Sequence, residues 1–182
     1  IRDRHSPLLQ GAQLWVALPG AERDVAPRFE HHTDLPVVTD RGLSATVLLG
    51  EFAGARSPGR THSPLAGVDV SLASGADVLV PLEPDWEYAV LTVSGRPDVA
   101  DGELDPGALL YLGSGRSDLR LRGGTGDDRL LLIGGEPFDE KIVMFWNFIG
   151  RSAAEIAELR EQWQSEIAAP GAPPVGAGAA RF

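Results

Sequence analysis

Cysteine is missing from this chain of 182 residues. Its absence excludes disulfides, iron–sulfur clusters, thiolate metal sites and cysteine nucleophiles. Long apolar runs are missing as well. None approaches the roughly 20 residues that a membrane helix needs, and the first ten residues, IRDRHSPLLQ, lack the apolar centre of a signal peptide. These absences predict a cytoplasmic protein without a membrane span.

Positive charge is scarce, because 16 basic side chains stand against 26 acidic ones and the net charge is −10. Over residues 1–60 the two signs balance at seven each, so the whole excess of acid lies after residue 60. A negative surface repels phosphate groups, which argues against binding to nucleic acid or to anionic membranes. The same charge would steer a protein partner with a basic surface towards the chain.

Short apolar stretches run from residue 13 to residue 148, and clusters of Gly, Pro, Asp and Ser separate them. Many short strands divided by turn signals are typical of a β-sandwich or β-barrel. The predicted strands are Gln13–Leu18, Ala45–Leu49, Val68–Leu72, Val78–Leu82, Tyr88–Val93, Leu109–Leu112, Leu119–Leu121, Leu130–Ile133 and Ile142–Phe148. Two strands alone are not stable, so Gln13–Leu18 must pack against residues beyond the first sixty.

One helix is predicted, over residues 152–168. Ser152 and Glu155 form a capping box, in which the hydroxyl accepts from a free backbone N–H and the carboxylate reaches back along the chain. Apolar residues then recur every three or four positions from Ile156 to Ile167, which gives the helix one apolar stripe. We expect this stripe to lie against the outside of a sheet.

Four histidines are available as metal ligands: His5, His31, His32 and His62. A site that activates oxygen or water usually needs two or three imidazoles together with a carboxylate. His31 and His32 are neighbours, and adjacent side chains of a strand point to opposite faces, so a polar linker is the favoured interpretation. His5 and His62 each belong to a His-Ser-Pro triplet, which is typical of a turn.

Acidic residues cluster at Asp98, Asp101, Glu103 and Asp105. Clustered carboxylates suit calcium, but the glycine and terminal glutamate of an EF-hand loop are missing, so a solvated hairpin is favoured. The glycine-rich stretch Gly123–Gly126 superficially resembles a phosphate loop. It predicts a turn, because no Lys-Ser/Thr pair and no helix start follow it.

The segment from Gly134 to Glu140 allows two interpretations. Two glycines end a buried run, and three carboxylates follow before the next apolar stretch. One hypothesis is a functional site at the mouth of a barrel. The other is a backbone crossing that needs glycine at positive φ, with Glu136 accepting main-chain N–H bonds.

Two parts of the chain resemble the pirin family. GAQLWVALP at residues 11–19 and PRFE at residues 27–30 resemble the middle of a pirin. LLIGGEP at residues 131–137 and VMFWNF at residues 143–148, followed by the predicted helix, resemble the end of the pirin C-terminal domain. The resemblance extends over about residues 8–168.

This resemblance implies a fold and a domain organisation. Pirins are two-barrel cupins, or bicupins, so we expect an all-β, cupin-type double-sheet jelly roll with one C-terminal α-helix. Residues 1–40 would be the end of the N-terminal barrel with a linker, and residues 41–168 the C-terminal barrel with its closing helix. Residues 169–182, rich in Pro, Gly and Ala, would be a flexible tail.

The family's metal site lies in the N-terminal barrel, where three histidines and a glutamate hold an iron(II) ion ahead of the Gln-Leu-Trp-Val strand. None of these four ligands can be mapped onto this chain. His5 is too close to that strand, and Ser6-Pro7 stand where x-Glu is expected. The resemblance therefore implies Fe(II) for the full-length protein and none for this 182-residue chain.

In the second barrel, the cupin ligand motifs would fall around residues 82–95 and 105–121. Neither range contains a histidine, which leaves Glu87 and Asp118 as a poor metal site. We therefore assign no catalytic, cofactor-binding or metal residue to this chain. Whether Glu87, Asp118 and Glu136 face one cavity is left open.

The resemblance implies alternative functions. One is a metal-dependent regulator or protein-interaction module whose iron lies in the missing N-terminal barrel. Another is a quercetin 2,3-dioxygenase-like non-haem iron oxygenase that takes a flavonoid, an activity not expected from this chain alone. A third is a scaffold role for residues 61–168. An incomplete first barrel would leave an apolar edge around Trp15, so we expect this strand to associate with another polypeptide or to dock on the second barrel.

Overall fold

The computed structural model describes residues 11–168, which contain thirteen strands and one helix. The strands are β1 (Val37–Asp40), β2 (Leu43–Phe52), β3 (Ala55–Arg56), β4 (Leu65–Leu72), β5 (Asp77–Pro81), β6 (Glu87–Ser94), β7 (Asp98–Val99), β8 (Gly102–Glu103), β9 (Leu109–Gly113), β10 (Asp118–Arg122), β11 (Asp128–Gly135), β12 (Val143–Phe145) and β13 (Phe148–Gly150). The helix is α1 (Ala153–Ala168). His5 and the predicted tail, residues 169–182, lie outside the described residues.

Two antiparallel sheets form the barrel. Seven strands make the larger sheet, in the order β1-β2-β4-β11-β6-β9, with β3 paired to the end of β2. Four strands make the smaller sheet, in the order β5-β10-β7-β8. Strands that neighbour each other in a sheet are often distant in sequence, as β4 and β11 are, which is the connectivity of a double-sheet jelly roll.

The core fills the space between the two sheets. Side chains of a strand alternate between its two faces, and in β4 the alternation buries Val68, Val70 and Leu72 while Asp69 and Ser71 face outward. The same alternation in β5, β6, β10 and β11 fills the core from both sides. The all-β double-sheet fold predicted from the sequence is thereby confirmed.

Two predicted strands differ in the structure. Gln13–Leu18 joins no sheet and has no regular secondary structure. Ile142–Phe148 is not one strand but part of the separate hairpin β12-β13, whose turn holds Trp146 at a φ of 54°. The sequence-based boundary between residues 40 and 41 falls inside another hairpin, because β1 pairs with β2.

The helix begins where the sequence predicts it. The backbone N–H of Glu155 donates to the Ser152 hydroxyl (3.1 Å), which is one half of the capping box. The Glu155 carboxylate accepts instead from the N–H of Arg151 (2.6 Å), one residue earlier than a standard box. The apolar stripe packs Ile156 against the small β12-β13 sheet. Within residues 11–168 no helix is long and apolar enough to cross a membrane.

Candidate functional site

The acidic cluster is a hairpin, as the sequence favours. Strands β7 and β8 pair across a turn in which Ala100 and Asp101 both have positive φ. Asp98 and Asp101 contact the guanidinium of Arg122, while Glu103 and Asp105 contact that of Arg96. The four carboxylates are thus divided between two arginines, and among the described residues no three acidic side chains are placed to share a calcium ion.

The loop Gly123–Gly126 holds a carboxylate of the protein itself. Asp128 is buried and accepts hydrogen bonds from the backbone N–H of Gly124 (2.6 Å) and of Arg96 (2.8 Å). The Asp128 carboxylate thus ties the loop at Gly124 to the turn at Arg96. The predicted turn is confirmed, and its role is structural.

Glycines 134 and 135 do not have positive φ, so this part of the prediction was wrong. They lie in β11, where atoms of neighbouring residues come so close to the backbone that they leave no room for a side chain. A Cβ at Gly134 would lie 2.3 Å from a ring carbon of Tyr88, and one at Gly135 would lie 2.8 Å from the carbonyl oxygen of Pro64. The Glu136 side chain is exposed, and its backbone N–H donates to Pro64.

Glu87 and Glu136 line one groove, but Asp118 lies elsewhere. The groove runs over the outer face of the larger sheet, where β6 and β11 pair Glu87 with Gly135. Asp118 begins β10 in the smaller sheet and is exposed beside the hydroxyl of Ser117 (3.1 Å). Two of the three carboxylates left open by the sequence thus share a surface, and they do so outside the barrel.

Metal-ligand geometry is absent from the part of the chain that the structure describes. No three His, Asp or Glu side chains among residues 11–168 are placed to share an ion. His32 is hydrogen-bonded to Glu30 (3.0 Å) and His62 to Glu22 (3.2 Å), in two separate pairs, while His31 is exposed. These residues do not fit the iron site that the resemblance implies for the whole protein, so we assign no step to a metal.

The segment from Gly11 to Asp24 is here called the arm, and its residues 14–17 lie beside the outer face of the larger sheet. Leu14, Trp15, Val16 and Ala17 face strands β4, β6 and β11 along the groove that also holds Glu87. The Leu14 side chain lies close to the sheet, since a Cβ added at Gly67 in β4 would lie 3.4 Å from it. This segment therefore lies against the barrel, as one of the two alternatives from the sequence predicts, and its association with another polypeptide stays a prediction.

The arm is fastened at its far end by an ionic network, here called the clasp. Arg151 donates to the Glu140 carboxylate (2.6 Å) and to the carbonyl oxygen of Leu18 (2.7 Å). The other oxygen of Glu140 accepts the backbone N–H of Gly20 (2.6 Å). Arg23 completes the clasp by binding Glu155 at the start of α1.

Hydrogen bonding in the clasp lowers two carboxyl pKa values. The pKa of Glu155 is lowered chiefly by its hydrogen bond from Arg23 and then by the N–H of Arg151. The pKa of Glu140 is lowered chiefly by the N–H of Gly20 and then by Arg151. Both carboxylates are therefore ionised at neutral pH, which is the state that the clasp requires.

A second groove, of about 630 Å³, opens between the arm, β13 and the helix. Its walls are largely apolar and include Trp15, Val16, Phe148 and Leu159. Half of the Trp15 surface stays exposed even though the arm is docked. A monomer seldom leaves such a patch uncovered unless another surface packs on it, so we take this groove with the arm as the candidate functional site.

Sequence reasoning missed the clasp. It identifies Glu155 only as a helix cap and Glu140 only as one carboxylate of a turn, and it singles out neither Arg23 nor Arg151. The partners lie up to 133 residues apart, and no local pattern links them.

The chain is similar to proteins that are already known. The model of the pirin C-terminal cupin domain matches residues 67–167. A protein of Pseudomonas aeruginosa, provisionally named a quercetin 2,3-dioxygenase, is 41% identical over 162 residues, which is 89% of this chain and 50% of that protein. Human pirin is 29% identical over 154 residues, covering 81% of this chain and 53% of that protein.

A solved structure agrees with these matches. The crystal structure of a quercetin 2,3-dioxygenase from Acinetobacter baumannii superposes with a TM-score of 0.81 at 39% sequence identity. The match covers 91% of this chain and 55% of that one. The chain thus spans about half the length of the relatives it matches.

Proposed function

The chain belongs to the pirin family, and from this premise we propose that it acts as the metal-free C-terminal barrel of a two-barrel cupin protein. In this proposal the arm and the apolar groove beside it receive a second cupin barrel, which carries the Fe(II) site. The iron-dependent chemistry and the regulatory state of the whole protein would then reside in that barrel. The cytoplasmic location predicted from the sequence is part of this proposal.

One observation carries the proposal: the arm is fixed to this barrel, yet it presents apolar surface outward. Ionic contacts hold its far end through Arg23 and Arg151, while Leu14, Trp15 and Val16 remain between 39% and 50% exposed. Apolar surface held in place is what a packed domain interface requires, because little ordering entropy is then lost on association.

The proposal is tested by adding a second barrel to this chain. The half of the Pseudomonas relative that lies outside the matched region would be co-expressed with this chain, and the two would be purified through a tag on one of them. We expect a one-to-one complex that contains iron. Trp15→Ser should weaken it, whereas Leu79→Ser should not, because Leu79 is equally exposed but lies on the outer face of the smaller sheet.

Failure of the two halves to associate would contradict the proposal, provided that both are folded by circular dichroism. Association that Leu79→Ser weakens as much as Trp15→Ser would also contradict it, since the contact would then not involve the arm.

The negative charge of the chain favours a regulatory role through binding to another protein. The excess of acid after residue 60 suits a protein partner with a basic surface. Such binding should weaken as salt rises, because exposed charges are screened within about 10 Å at 0.1 M salt. Binding to a partner that is indifferent to salt would exclude electrostatic steering.

A second candidate is oxidation of a flavonol, favoured by the names of the Pseudomonas and Acinetobacter relatives. This activity belongs to the proposed two-barrel protein. We expect no consumption of quercetin by the 182-residue chain alone and measurable consumption by the iron-containing complex. Oxygen uptake with quercetin, measured for both preparations, separates this candidate from a purely regulatory role.

A further inference from the structure

The open end of the double sheet contains a cleft of about 430 Å³. It lies where β2 and β5 end and where β4 and β6 begin, so both sheets form its walls. We propose that this cleft binds a small neutral aromatic molecule that carries hydroxyl groups. The inference goes beyond the proposed function, because it concerns this barrel alone and requires neither iron nor a second barrel.

Tyr88 has a hydroxyl donor for which residues 11–168 offer no acceptor. The residue is 4% exposed, and its hydroxyl accepts the backbone N–H of Glu83 (3.0 Å). Within residues 11–168 its own O–H reaches no acceptor. Burial raises the pKa of this phenol, so the proton stays in place at neutral pH. A buried donor at the wall of a cleft favours a ligand with an acceptor oxygen, because leaving the donor unpaired costs free energy.

Trp86 supplies an aromatic surface. It is half-buried at the cleft and stacks on Tyr88, with ring centroids 6.1 Å apart and planes inclined by 28°. Phe52 and Leu65 add apolar wall. A planar ring that enters the cleft can extend this stack, and offset stacking adds to the gain from burying its apolar faces.

The charges at the rim select against an anionic ligand. Glu51 and Arg56 form an exposed ion pair (2.8 Å), which leaves Glu83 as a net negative charge on the cleft wall. The whole chain is also negative. A carboxylate ligand would be repelled, whereas a hydroxyl group can donate to a glutamate and accept from Tyr88.

The dimensions agree with a small ligand. The volume falls within the range of roughly 300–1,000 Å³ that is typical of small-molecule sites, and the lining is a mixture of aromatic walls and a few polar groups, as such sites require. A ring with two hydroxyl groups can satisfy Tyr88 and a rim carboxylate together. Catechol is therefore the probe of choice.

Titration calorimetry of the 182-residue chain with catechol tests the inference. We expect one site with a millimolar dissociation constant, as befits so small a ligand. Tyr88→Phe removes only the hydroxyl and should weaken binding about fivefold, the loss of one neutral hydrogen bond. Trp86→Leu should weaken it about tenfold. Tyr111→Phe and Trp146→Leu remove the same groups outside the cleft and should leave binding unchanged.

Three further probes decide the ligand class: benzoate, benzylamine and glucose. Each should bind more weakly than catechol: benzoate is repelled by Glu83, the ammonium of benzylamine cannot accept the Tyr88 O–H, and glucose lacks a planar ring. Tighter binding of any of the three would overturn the assignment. The absence of catechol binding would also overturn it. So would Tyr88→Phe and Trp86→Leu variants that are folded by circular dichroism and bind catechol as tightly as the unsubstituted chain does.

Discussion

The guanidinium of Arg23 binds the carboxylate of Glu155, although 132 residues separate them along the chain. Glu155 also accepts the backbone N–H of Arg151 at the start of α1. One carboxylate therefore joins the arm to the start of α1. We expect the position of Trp15, and with it the shape of the apolar groove, to depend on this contact.

Acid should loosen the arm. The pKa of Glu155 is lowered in the folded chain from its ordinary value of 4.5, and that of Glu140 likewise. The stability that these carboxylates contribute is therefore complete above about pH 4.5 and is lost as the pH falls through the lowered folded pKa values. Acrylamide quenching of tryptophan fluorescence should increase below this pH, as Trp15 leaves the sheet.

Glu155→Gln should produce the same loosening at neutral pH, because the neutral amide binds Arg23 more weakly than the carboxylate does. Glu158→Gln is the matched control, since Glu158 is an exposed carboxylate of the same helix. Equal quenching in the two variants at pH 7 would show that the clasp does not hold the arm.

Thr92→Val should stabilise the barrel. Thr92 is fully buried in β6, and its hydroxyl oxygen has no hydrogen-bond partner within residues 11–168. Valine has nearly the same shape without the unpaired polar group, so we expect a gain of about 1 kcal/mol in the free energy of unfolding. Urea denaturation measures it, with Thr39→Val in exposed β1 as the control. A loss of stability would show that the hydroxyl is satisfied.

Gly50 and Gly54 should respond differently to alanine although both have positive φ. A Cβ at Gly50 would lie 1.7 Å from the carbonyl oxygen of Leu65, whereas one at Gly54 meets nothing within 4 Å. We expect Gly50→Ala to cost roughly 3 kcal/mol or more, and Gly54→Ala about 1 kcal/mol from the dihedral alone. Thermal unfolding of both variants checks this, and equal losses would contradict the described packing of β2 against β4.

Much of the barrel follows from local pattern. Alternation in β4 predicts which side chains face the core, and the turn signals predict the hairpin at Asp98–Glu103. The cap at Ser152 predicts the start of the helix to within one residue. These features depend on neighbours in sequence, which is why the sequence alone reveals them.

The candidate site depends on contacts that local pattern does not encode. Gln13–Leu18 has the composition of a strand, but it lies against a sheet instead of pairing in one. Its apolar side chains contact residues far along the chain, and local pattern does not identify those residues. Local pattern assigns the glycines of β11 to a backbone crossing with positive φ, yet the ring of Tyr88 from the neighbouring strand is what excludes a side chain at Gly134. Cross-strand approach and distant ion pairs such as Arg151 with Glu140 become visible only in the fold.

The purified 182-residue chain would be loaded with Fe(II), and its iron content measured by elemental analysis beside that of the complex with the added barrel. If the iron site lies in the added barrel, as we propose, the isolated chain will hold far less than one iron atom and the complex close to one. One tightly held iron in the isolated chain would contradict this proposal.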